Sequence, residues 1–198
     1  MSPAVIAPSH HSDLFRYWNA LRGVHSMAKR SDIDPTDIIE LLPYVALIER
    51  RSDGYFWRLM GTTIVDHFGQ DFTGQRYGAR ASPPAFAAAM IETFDAALRD
   101  ETPFFDESLY WSSMGHAHAV SRLVCPLKAD GPYPAMVILT RIHRFCGDAF
   151  HYLALDDQPR GELQNRWRIA SLDDVDRRIE EWTRTACFPV EAREQYAV

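Results

Sequence analysis

Between Phe104 and His143 lie three apolar runs, Phe104–Ser112, Ala117–Leu127 and Ala135–His143, and they constrain the fold more than any other feature. They are separated by turn formers, Gly115 in the first gap and Asp130-Gly131-Pro132 in the second. In the middle run Ala119, Ser121, Leu123, Cys125 and Leu127 fall on one side of a period of two, and His118, Val120, Arg122 and Val124 on the other. Alternation of this kind predicts antiparallel strands with one covered face.

Upstream, Val45–Arg50 and Tyr55–Met60 flank Ser52-Asp53-Gly54, which reads as a hairpin. A short helix follows, with Ile64, Val65 and Phe68 and a stop at Gly69; Gln70–Tyr77 reads as a loop. Ser82-Pro83-Pro84 opens the clearest helix, with Phe86, Met90, Phe94, Ala97 and Leu98 on one face. Before the hairpin, Ser12 is placed to cap a helix carrying Leu14, Tyr17, Trp18 and Leu21. Asp34-Pro35 starts a short turn of helix that Pro43 ends. Two strands, a helical crossing and three strands predict an α+β fold, a five-stranded antiparallel sheet with helices on one face. Residues 1–11 read as a loose tail, 12–146 as the domain with its N-terminal helix, and 147–198 as a C-terminal extension with one amphipathic helix.

Composition narrows the function classes. The 198 residues are 46% hydrophobic, enough for a real core, and the net charge of -6 argues against a nucleic-acid partner. No run of 18 apolar residues exists to span a membrane, and Met1–Ser9 lacks the basic start of a signal peptide. Cys125, Cys146 and Cys187 are odd in number and far apart, which suits a reducing cytoplasm better than a disulfide framework or a zinc cluster.

Several short segments, in order, carry a resemblance. They are Arg16-Tyr17-Trp18 with Leu21-Arg22-Gly23, Arg30–Pro35, Leu41-Leu42-Pro43, Arg58–Thr62, Phe68–Gly74 and Arg122–Leu127. Together they resemble the stand-alone PAS-like domain family of alphaproteobacteria, over about Leu14 to Ile142. The resemblance implies a sensory or regulatory fold that binds a small ligand or a signalling partner, with no output domain of its own. Val24–Lys29 departs from the family pattern, and 147–198 falls outside it.

In PAS domains a ligand sits between sheet and helices. Here that space would draw on Phe56, Trp57, Ile64, Phe68, Phe72, Phe86, Met90, Phe94, Leu123 and Leu139 for its walls. His67, Tyr77, Tyr110, His118 and Arg122 would supply polar groups. The simpler reading of each apolar residue is a filled core. Haem of the usual PAS type is not expected, because Pro83–Leu98 holds no His, Cys or Tyr, and Met90 would be a weak ligand. Flavin photochemistry is not expected either, because Gly69–Gly74 lacks the reactive Cys of the light-sensing motif.

His116 and His118 are spaced to share a strand face, but a metal would need a third ligand such as His143 or His151, and no metal is expected. His10-His11 reads as solvated. Asp106 and Glu107, adjacent on a strand, point to opposite faces and cannot act as a catalytic pair; Asp66 and His67 are likewise too close in sequence to share a helix face. With no nucleophile beside a base and no phosphate loop, an enzyme is not expected, though an active site assembled from distant residues would escape this reading.

In the extension, Ser171 is placed to cap a helix in which Leu172, Val175, Ile179, Trp182 and Ala186 recur at spacings of three and four. The bland reading packs this face on the domain. The sharper one makes it, with Tyr17 and Trp18 of the first helix, a homodimer or partner surface. A pure interaction module with a filled core is thus the alternative to a ligand sensor.

Overall fold

The computed structural model describes residues 9–79, 84–111, 117–129, 135–145 and 160–185. The elements run α1 (Ser9–Arg22), β1 (Ala28–Lys29), three short 3-10 turns, β2 (Val45–Arg51), β3 (Gly54–Met60), α2 (Thr62–Phe68), α3 (Pro84–Asp100), β4 (Phe104–Trp111), β5 (Ala117–Lys128), β6 (Ala135–Phe145), β7 (Arg160–Arg168) and α4 (Leu172–Thr185). The sheet order is β3-β2-β6-β5-β4-β7. Every neighbouring pair on that path is antiparallel, and β1 adds a short parallel pairing of Ala28 and Lys29 with Leu127 and Lys128.

Local chemistry explains most boundaries. Asp34 caps its 3-10 turn through Thr36, with Pro35 in the first turn. Gly69 ends α2 in the left-handed region at φ 68°, where a Cβ would be strained. Gly61, between β3 and α2, is needed for space: a Cβ there would stand 2.3 Å from the Leu42 and Pro43 carbonyl oxygens.

Both faces of the sheet are covered. On one, Ala46, Ile48, Trp57, Phe104 and Val124 pack under α2 and α3 through Ile64, Phe86, Met90 and Phe94. On the other, Leu47, Phe105, Leu123, Cys125 and Leu127 pack under α1 and α4 through Leu14, Phe15, Trp18, Val175 and Ile179.

Three expectations are corrected. The sheet has six antiparallel strands plus β1, not five, because the C-terminal extension supplies β7 beside β4. Helices cover two faces, not one, because α4 returns with α1 over the side that alternation alone left open. Finally, α1 starts at Ser9, so Ser12 is not its cap; its hydroxyl instead donates to Asp176 on α4.

Candidate functional site

The layer between the sheet and α3 has an aromatic end and a polar end. At the aromatic end Trp57 packs against Tyr77 (5.0 Å between ring centroids) and Phe68 (6.4 Å). Phe72 meets Phe68 edge-on at 5.6 Å, and Phe94 lies 5.1 Å from Tyr77. The loop after α2 is held to β3 by the Trp57 N–H donating to the Gln75 carbonyl and the Tyr77 N–H to the Tyr55 carbonyl. That pairing is why Phe72 and Tyr77, read as loop residues, are buried. The Tyr55 hydroxyl donates to Asp95 at 2.8 Å, and burial pushes its pKa well up. The Trp57 indole N–H is buried without an acceptor among the described residues.

At the polar end, cross-strand register builds a charged row. Asp106 on β4 is the Cα partner of Arg122 on β5 and of Arg166 on β7. The Arg122 guanidinium, 2% exposed, donates to Asp106 and, at 2.6 Å, to the Ser108 hydroxyl. It lies over the Phe86 ring, 5.3 Å from its centroid, and its Nε–H has no acceptor among the described residues. Arg166 donates to the buried Thr93 hydroxyl of α3 at 3.3 Å. A buried pair of this kind is a weak source of stability, since desolvation offsets most of the attraction, but it fixes geometry.

Of the expected pocket residues, Trp57, Phe68, Phe72, Tyr77, Phe86, Met90 and Phe94 therefore share one apolar layer, and Arg122 reaches it through Phe86. Tyr110 and His118 are register partners on β4 and β5, but their side chains, like that of His67, lie outside the described ones. His116, Cys146, His151, Ala186 and Cys187 also lie outside the described residues.

The opposite face answers the expectation for the terminal helices. Trp18, Val175 and Ile179 are buried against their own sheet, and Leu172 packs at the edge of the same cluster, so this seam is spent within the molecule. The Trp18 indole donates to the Pro126 carbonyl at 2.7 Å. Tyr17 is half-buried, its hydroxyl bridging the Asp34 backbone, and Trp182 is half-buried on α4. His11 is buried rather than solvated: its ring packs on Phe105 and its Nε2 lies 3.3 Å from the Ser121 carbonyl. Burial pulls its pKa down to about 4, against the Ser121 contact, which raises it. Glu107 on β4 accepts from Asn165 at 3.2 Å and sits under α4. Burial raises its pKa, and nearby Glu181 adds to the effect.

Sequence reasoning missed Asp106, Ser108 and Arg166 as members of the Arg122 cluster. The signal was faint: Asp106 and Ser108 share a strand face at i and i+2, but Glu107 between them is polar as well, so the pair does not stand out.

The arrangement is an antiparallel sheet with a covering helix α3 on one face and the flanking helices α1 and α4 on the other. The PAS domain family profile matches residues 6–137, and the chain belongs to that family. The matched span ends inside β6, so β7 and α4 lie beyond it. No curated protein matches the chain. Among the described residues no helix is long and apolar enough to cross a membrane.

Proposed function

We propose that this chain is a sensory or regulatory module of bacterial signalling that works by binding rather than catalysis. A small, largely apolar ligand carrying a hydrogen-bond acceptor takes the layer between sheet and α3. Helices α1 and α4 then present the altered packing to a cytoplasmic signalling partner. The observation that carries this reading is Arg122, a nearly fully buried guanidinium with one N–H left without an acceptor among the described residues. Such a donor is a cost in the empty protein and an anchor for a ligand oxygen. Strand β4 connects this layer to the other, since Asp106 faces Arg122 while Glu107 faces α4. The ligand acts only if it binds two arrangements of those helices with different affinity.

Mass spectrometry of protein purified without denaturation tests the idea. A retained small molecule is expected, with occupancy lost in Arg122→Met. Consistently empty protein that no acceptor-bearing apolar compound stabilises would overturn it.

A second reading, a dimerisation or adaptor module with a filled core, draws on the ring packing around Trp57. It predicts that Arg177→Glu with Glu180→Arg on the exposed side of α4 changes oligomeric state or partner capture while core variants of Trp57 do not. Removing residues 160–198 is a poor test of either reading, because β7 goes with them.

A further inference from the structure

A hollow of about 480 Å³ opens at the end of β5, six residues beyond Arg122 and so about 20 Å from it at the rise of a strand. Met27 and Leu98 give it an apolar floor, Arg50, Arg99 and Lys128 line its wall, and Asp95 is the carboxylate among its described lining residues. Arg50 pairs with Asp95 and Arg99 with Asp100, which leaves Lys128, and Lys29 beside it, as the cations of this end without an ion pair among the described residues, on a chain whose net charge is -6.

Register makes the excess sharper. Arg50 and Lys128 are both Cα partners of Ala135, one on each side of β6. Lys29 on β1 is in turn the partner of Lys128. Like charges opposite one another on neighbouring strands repel, so the Lys29–Lys128 pair carries a cost that an anion would relieve. The carboxylates around the rim are already engaged. Asp95 accepts from Tyr55 and lies 3.7 Å from Arg50. Asp100 holds both Arg99 and Arg168, and Glu101 accepts from the Ser26 hydroxyl. Lys29 and Lys128 make no ion pair among the described residues. Arg99, in the last turn of α3, also offsets the negative end of that helix.

We propose that this hollow binds a small organic phosphate monoester. Its dianionic head meets Arg50 and Lys128, with Lys29 next to Lys128 in register, and a short apolar body lies on Leu98 and Met27. A dianion matches the excess charge better than a single carboxylate. Lysines, as compact point charges, suit a tetrahedral phosphate without demanding the planar match an arginine fork gives a carboxylate. The site lies at the edge of the layer beneath α3, sharing Leu98 and Asp95 with it, but away from Arg122, and neither proposal depends on the other.

Phenyl phosphate is the probe, titrated calorimetrically near neutral pH at about 0.1 M salt, where surface charges are felt over about 10 Å. Saturable binding is expected, tighter than for inorganic phosphate or benzoate. Lys128→Gln should weaken it by about fivefold, the loss of one charge-assisted contact at an exposed site, and Lys29→Gln with Lys128→Gln by more. Both lysines are exposed, so an unchanged melting temperature checks that the variants fold. No saturable binding, equal binding by the variants, or benzoate binding as well as phenyl phosphate would each overturn the site. Binding of a phosphopeptide but not of phenyl phosphate would overturn the small-molecule ligand and assign the row to a protein partner.

Discussion

Asp106 and Glu107 are sequence neighbours that serve opposite layers: Asp106 accepts from Arg122 beneath α3, and Glu107 accepts from Asn165 beneath α4. One peptide unit thus separates the polar end of the candidate ligand layer from the helix that covers the other face. A shift of β4 at this point is felt on both sides, because strand side chains alternate and packed layers do not deform freely.

Breaking the buried pair from one side should be costly. Arg122→Met removes the guanidinium that donates to the buried Asp106 carboxylate, and a loss of about 3–5 kcal/mol in urea unfolding is expected. Adding Asp106→Leu should recover part of it, because the buried carboxylate that lost this partner is then gone. If the double variant is no more stable than Arg122→Met, the cost lies in packing over Phe86 instead.

His11 gives the fold a pH dependence. Its folded pKa, about 4, lies below the ordinary 6.5, so the unfolded chain takes up the proton first as pH falls. The neutral ring's contribution is therefore fully present above pH 6.5 and lost as pH drops toward 4, on the order of 3 kcal/mol in all. Unfolding free energies measured from pH 7 to 4 should fall more steeply for the native chain than for His11→Asn. Parallel curves would remove His11 from the account.

The buried face of α4 should behave as core. Ile179→Ala is expected to cost about 2–4 kcal/mol, and to speed amide exchange in α4 and the facing part of β4 before the rest. Trp182→Ala, at a half-buried position, should cost less. A dimer lost on Ile179→Ala without loss of monomer stability would point instead to an exposed seam.

Cys125 is fully buried, and burial pushes its thiol pKa well up. It should resist a water-soluble thiol reagent in the folded protein and react only at the rate of unfolding. Reaction at the rate of an exposed cysteine would show that the layer under α1 opens readily.

Much of the fold is legible in the residues. The hairpin follows from Ser52-Asp53-Gly54 between two apolar runs, and α3 from the spacing of Phe86, Met90 and Phe94, because both signals are local. Strand β7 is not legible: Arg160–Arg168 carries only Leu163 and Trp167 as large apolar residues, four apart, and a register shift opposite Glu107 and Ser108 breaks the alternation. His11 misleads for a related reason, since a polar residue near a terminus reads as solvent-facing until Phe105 and Ser121 are brought against it by the sheet. Arg122 is singled out by sequence, but its partner Asp106 is set by strand register, which no local pattern encodes.

The bond from Ser12 to Asp176 spans 164 residues. A growing chain on the ribosome has therefore made α1 and most of the sheet long before their cover exists. Until residues 160–185 emerge, Phe105, Leu123 and Cys125 lack the α4 part of their cover, and β4 lacks its β7 neighbour. Synthesis leaves a period in which the nascent protein is exposed to aggregation, and the arrival of β7 and α4 closes that edge.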